Sequence, residues 1–131
     1  MQVTHMTTRS ATIDLDPSGI IWITIKPNVL ETLADVDANV AAVLQIAIHT
    51  RHSIGLDLRA GLPLRPDVRT AYAASSLERI MSALAIVVDR RGFSWLIGTI
   101  MVSLTRQRVP MRICTSLEEA AQWLHGQQKG R

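Results

Sequence analysis

Apolar and polar positions alternate early in the chain, then fall into helical spacing, then alternate again. Ala11 to Asp16 (ATIDLD) carries Ile13 and Leu15 at every second place, and Ile20 to Lys26 (IIWITIK) continues through Ile21, Ile23 and Ile25. A period of two marks a strand with one buried face. Between the runs lies Pro17-Ser18-Gly19, where proline fixes one dihedral and glycine supplies a positive φ. The pattern predicts a β-hairpin closed by Pro27.

From Thr32 to Thr50 the spacing changes to three and four, through Leu33, Val36, Val40, Val43, Leu44 and Ala47. That stripe predicts a helix packed on a sheet, with Asp37 and Asn39 on its solvent side. Thr32 and Asp35 have the spacing of a capping pair, which also places a carboxylate in the first turn. Ser53 to Arg59 predicts a short strand, and Gly61 and Pro63 prevent its extension. Pro66 suits the first position of a helix, where its missing N–H costs nothing. That helix is expected to run to about Leu77 and to bury Val68, Ala71 and Tyr72.

Met81 to Val88 (MSALAIVV) is an almost unbroken apolar run, as expected of a central strand covered on both faces. Phe93 to Gln107 predicts a helix apolar on nearly every side. Met111 to Thr115 predicts the last strand. Ser116-Leu117-Glu118-Glu119 reads as a capping box for a final helix ending at Gly126. The predicted order is β-β-α-β-α-β-α-β-α, an α/β fold with a mostly parallel sheet, an N-terminal hairpin and helices packed on it. Residues 1–10 are expected to form a flexible leader, 11–126 a single domain and 127–131 a polar tail.

Composition narrows the classes of function. The chain has 131 residues and a net charge of +3. Its positive charge is almost all arginine, scattered along the chain, whereas a nucleic-acid binder clusters it on one face of a recognisable module. No nucleic-acid partner is expected. Residues 1–10 carry no signal-peptide pattern. The longest apolar stretch, Phe93 to Leu104, falls short of the ~20 residues that cross a bilayer. A lone cysteine, Cys114, rules out an intrachain disulfide and favours a reducing compartment. A cytoplasmic protein is expected.

Candidate chemistry is sparse. The glycines are isolated, and no GxSxG, HExxH or CxxC pattern occurs. His49 and His52 are three apart at a helix end, but no cysteine or carboxylate cluster accompanies them, so no metal is expected. Cys114 lies among apolar neighbours in a predicted strand, the setting of an inert thiol. Asp57 is a strand-end carboxylate, expected to pair with Arg59 or a neighbouring loop. An enzyme centred on it is the remotest of three readings. No cofactor and no catalytic residue are expected.

The order of landmarks resembles the STAS-like (SpoIIAA-like, STAS/SEC14-type) class, the fold class of anti-sigma-factor antagonists. Within it, the chain resembles a bacterial family of small single-domain proteins of unknown function. The resemblance covers roughly residues 11–125. It rests on the hairpin turn Asp16-Pro17-Ser18-Gly19, the strand Gly55-Leu56-Asp57-Leu58-Arg59, and Arg69 with Ala71-Tyr72 in the next helix. Pro110-Met111-Arg112 followed by Thr115 to Leu124 (TSLEEAAQWL) is its most specific part. In the regulated antagonists, a Ser or Thr opening the helix after the third strand accepts a phosphate. Here that segment reads Leu64-Arg65-Pro66-Asp67, with no hydroxyl to phosphorylate.

The resemblance implies a non-enzymatic regulatory or protein-interaction domain. The segment Ser53 to Arg69 reads as a strand, a Pro-broken loop and the start of a helix, and ligands and partners of parallel sheets dock in the crevice beyond the strand ends. Arg59, Arg65, Asp67 and Arg69 are its candidate partner- or anion-binding residues. The apolar run contributes Phe93, Trp95, Ile97 and Met101 as a candidate homodimer or ligand-facing surface. The alternative is a small-molecule or lipid-binding module with an apolar cavity near residues 93–104, rimmed by Arg90, Arg91, Arg106 and Arg108. A lipid or membrane-surface partner ranks below a protein partner.

Overall fold

The computed structural model describes residues 2–48, 50–90 and 109–129. Six strands make one mixed sheet in chain order: β1 (His5–Thr7), β2 (Ala11–Leu15), β3 (Ile20–Ile25), β4 (His52–Asp57), β5 (Met81–Val87) and β6 (Met111–Cys114). The first three pair antiparallel, and β3 through β6 run parallel. The helices are α1 (Leu33–Ala47), α2 (Pro66–Ala73), α3 (Leu77–Ile80) and α4 (Leu117–Lys129). No helix among the described residues is long and apolar enough to cross a membrane.

Two apolar layers flank the sheet. On one face Ile13, Ile21, Ile23, Ile25, Ile54 and Ile86 pack under Ala42, Val43 and Ile46 of α1, and Ile80 of α3 joins them. On the other, Ile20, Ala83, Ala85, Val87 and Cys114 meet Ala120 and Leu124 of α4. All seven residues of β5 are buried, as the unbroken apolar run requires of a strand covered on both sides. The small side chains Ala83 and Ala85 face α4, and Leu84 and Ile86 face the α1 layer.

The N-terminal end of α1 follows its sequence. Thr32 accepts from the Asp35 amide while Asp35 accepts from the Thr32 amide, completing the capping box. Ile48 ends the helix in the left-handed region, its N–H returning to Leu44 O. Pro66 opens α2 as expected.

Five expectations change. Residues 1–10 are not a loose leader: His5, Met6 and Thr7 pair with Asp14, Ile13 and Thr12, and Met6 packs on the core. The helix predicted from Pro66 to Leu77 stops at Ala73 and resumes as α3. The last helix passes through Gly126 to Lys129, so the polar tail loses its first three residues. Asn39, assigned to solvent, is buried, whereas Leu33, assigned to the core, is 52% exposed. The inward stripe of α1 is in fact Asp35, Val36, Asn39, Ala42, Val43 and Ile46. The predicted helix Phe93 to Gln107 lies outside the described residues.

Candidate functional site

The C-terminal ends of β3, β4 and β5 form one edge of the sheet, and the most deeply buried charged groups gather there. Ser10 precedes β2 and reaches this edge because Ala11 pairs with Ile25. Glu31 lies in the loop between β3 and α1, Asn39 in the second turn of α1, and Tyr72 near the end of α2.

Glu31 is only 2% exposed. Its carboxylate accepts from Ser10 Oγ at 2.6 Å, Asn39 Nδ2 at 2.7 Å and the Tyr72 hydroxyl at 2.9 Å. A buried carboxylate is tolerated only when such donors replace its water. Asn39 also approaches Ser10 Oγ and the Tyr72 oxygen, each at 2.9 Å, and Thr8 Oγ1 donates to Asn39 Oδ1 at 2.5 Å. Burial pushes the Tyr72 phenol above its ordinary range, with the nearby Glu31 charge adding to it. Tyr72 therefore stays a neutral donor.

A second cluster sits beside the first. Arg9 Nε and Nη2 donate to the two oxygens of Asp35, and Arg9 also donates to Leu30 O. The guanidinium holds the Asp35 carboxyl at about 2, with the Thr32 capping bonds acting in the same direction. Arg9 thereby ties the start of the hairpin to the N-terminus of α1.

The network walls one end of a cavity of about 80 Å³ between the sheet and the helices α1, α2 and α3. Ile23, Ile54, Leu56, Val43, Leu77 and Leu84 make its apolar body, and Glu31, Asn39 and Tyr72 its polar end. The described residues that line this cavity run from Ile23 to Leu84. The expected cavity near residues 93–104 falls outside the described residues.

The sequence candidates divide. Arg59 donates through Nε at 3.0 Å and Nη2 at 2.9 Å to the buried Asp57 carboxylate, a two-pronged pair. Asp57 thus takes the pairing expected of it. Arg65 and Asp67 form an exposed pair at 2.7 Å at the start of α2. Arg69 is half-buried one turn later. These four residues share the edge with the Glu31 network. Phe93, Trp95, Ile97 and Met101 lie outside the described residues, as does His49.

Cys114 is buried, and its thiol is pushed up to about 11 mainly by burial, so it stays protonated and is a poor nucleophile. Among the described residues, no three His, Cys, Asp or Glu side chains are grouped closely enough to hold a metal.

Sequence reasoning missed Ser10, Glu31 and Asn39. The available signal was a single polar residue, Asn39, at helical spacing inside the stripe Val36–Asn39–Val43–Ile46. Such a residue faces the core and needs a partner there. Nothing local marks Glu31 as that partner.

Comparison with curated proteins finds no match, and comparison with solved structures finds none. A family model described as a domain of unknown function, DUF7793, matches residues 13–128, which span β2 through almost all of α4, and the chain belongs to that family.

Proposed function

We propose that this protein is a non-enzymatic regulatory domain of the STAS-like class, binding a protein partner at the C-terminal edge of its parallel strands. The observation that carries this reading is the surface composition of that edge. Leu30, Leu33 and Leu62 are 48%, 52% and 43% exposed, in the two loops and the helix start that the topology brings to this end. The exposed arginines Arg9, Arg59 and Arg65 belong to the same edge, each oriented by an aspartate. Apolar anchors among arginines held in fixed geometry are characteristic of protein interfaces. A neutralised arginine retains outward N–H donors for a partner's carbonyl or carboxylate groups.

Affinity capture from the native host tests this with wild type, Leu62→Asp, and Glu118→Lys on the far face of the sheet. The expected result is one partner retained by wild type and Glu118→Lys and lost by Leu62→Asp. A partner retained equally by all three, or by none, overturns it.

A second reading is favoured by the cavity: a module that takes a small apolar ligand between the sheet and α1. Titration with a small alcohol, followed by NMR at Val43, Leu56 and Leu84, tests it. Saturable shifts there support it, and unchanged spectra remove it.

A further inference from the structure

At the opposite end of the sheet, three buried polar atoms have no hydrogen-bond partner among the described residues: His52 Nε2, Ser53 Oγ and Ser82 Oγ. Buried polar groups are almost always paired, so orphans of this kind call for an explanation. All three residues line one open groove of about 270 Å³, together with Gly19, Arg51 and Gln128.

The backbone builds this cluster. Met81 pairs with His52 and Ala83 with Ser53, leaving Ser82 as an extra residue in a bulge where the register shifts. Bulges re-aim side chains, and this one sets Ser82 beside Ser53 at the start of β4. Ser53 is 1% exposed and Ser82 6%. A hydroxyl facing apolar surroundings would be better replaced by alanine, so two of them at one groove are costly for the fold alone.

The donors and acceptors define a ligand. Arg51 places one Nη2 bond on Met81 O at 2.8 Å, and its other N–H groups remain for a ligand. Among the described residues, the lining holds no carboxylate. The nearby Asp16 is committed elsewhere, accepting from Ser18, Ile20 and Trp22 Nε1. Lys129 ends α4 close by. The groove therefore favours an anion that accepts from Arg51, Ser53 and Ser82.

His52 adds a further requirement. Its Nδ1 lies 3.0 Å from Gly19 O. A carbonyl only accepts, so Nδ1 carries a proton, and Nε2 is the ring atom left to meet a ligand. When the ring is neutral, an anion satisfies Nε2 by donating a proton of its own to the lone pair. Hydrogen phosphate does so through its P–O–H, and a singly protonated phosphomonoester does likewise. Sulfate at neutral pH has no such proton.

We propose that this groove is a binding site for a protonated phosphate group, free or as a monoester, held by Arg51, His52, Ser53 and Ser82. It is separate from the partner edge and does not depend on that reading.

The test is an NMR titration of the ¹⁵N-labelled full chain at neutral pH and fixed ionic strength. The probes are inorganic phosphate, glycerol 3-phosphate, sulfate and chloride. The expected result is saturable shifts confined to Arg51, His52, Ser53, Ser82 and Gln128, with sulfate at least tenfold weaker than phosphate. A tighter glycerol phosphate assigns the site to monoesters, and a tighter inorganic phosphate to the free ion. Arg51→Gln and Ser82→Ala should each weaken binding about tenfold, while unligated Ser82→Ala melts no lower than wild type. Sulfate or chloride matching phosphate, shifts centred on Arg65 to Val68, or unchanged affinity in both variants would each overturn the proposal.

Discussion

The Tyr72 hydroxyl lies 2.9 Å and 3.0 Å from the two carboxylate oxygens of Glu31, joining the end of α2 to the loop before α1 across 41 residues. This bond supplies a donor that a buried carboxylate needs, and the same oxygen receives Asn39 Nδ2. Tyr72→Phe removes both roles and leaves Glu31 with fewer donors. The expected loss is about 1–3 kcal/mol, the range for leaving a buried polar group unsatisfied. Because the groups act as one network, Tyr72→Phe and Glu31→Gln should be non-additive. Urea denaturation of both single variants and the double variant measures the coupling. Additive losses would show that the two groups act independently.

The pair Arg9–Asp35 sets an acid limit. Asp35 is held at about 2 in the folded state, against about 4 when unfolded. A carboxyl whose pKa is lowered on folding contributes stability that is full above the unfolded value and is lost as pH falls through the folded one. The window is therefore pH 4 down to 2. Since Arg9 is exposed, water screens the pair and reduces what it contributes. Arg9→Ala should lower neutral stability and move acid unfolding to higher pH. Asp35→Asn should flatten the dependence between pH 4 and 2. An unshifted acid midpoint in Arg9→Ala would count against this assignment.

The elements with strong local signals were legible from sequence. The hairpin, α1, the buried strand β5 and the last strand and helix all follow from apolar period, Pro and Gly placement and capping pairs. What escaped depends on distant neighbours. Three residues of β1 have little pattern alone, and they pair because β2 offers an open edge at Thr12 to Asp14. Asn39 was misplaced because polarity suggests solvent, whereas its partners Ser10, Glu31 and Tyr72 come from three other segments. Arg59 and Arg65 do lie between β4 and α2, and Asp67 and Arg69 in the first turn of α2, the positions their place after a predicted strand implied. The bulge that aims Ser82 depends on register between β4 and β5, which no window of sequence records.

Two glycines make opposite predictions for one substitution. Gly55 sits on β4 directly beside Trp22 of β3, and a methyl there would overlap Cζ3 and Cε3 of the indole. Trp22 cannot yield freely, since its Nε1 donates to Asp16 Oδ2 at 2.9 Å. Gly55→Ala should cost about 1–3 kcal/mol as an overpacked site and change the tryptophan fluorescence. Gly126 lies inside α4 with open space around it. Gly126→Ala should gain about 0.5–1 kcal/mol from helix propensity. Thermal melts of the two variants should therefore move in opposite directions, and movement in the same direction would refute the local geometry of one of them.

Ile48 carries the last prediction. It closes α1 at φ 48° and ψ 55°, a left-handed conformation that glycine adopts freely and a β-branched side chain resists. The strain is about 1–2 kcal/mol. Against it stands whatever the side chain gains from burial, which is limited because it is half exposed. Glycine also adds freedom to the unfolded chain, offsetting part of the relief. The balance favours Ile48→Gly by about 0.5–1 kcal/mol, a rise of roughly 2–5 °C in Tm. Ile48→Val keeps the branch at Cβ and should bring no gain. If glycine lowers Tm while valine does not, the side chain of Ile48 contributes more through contact than its backbone costs in strain.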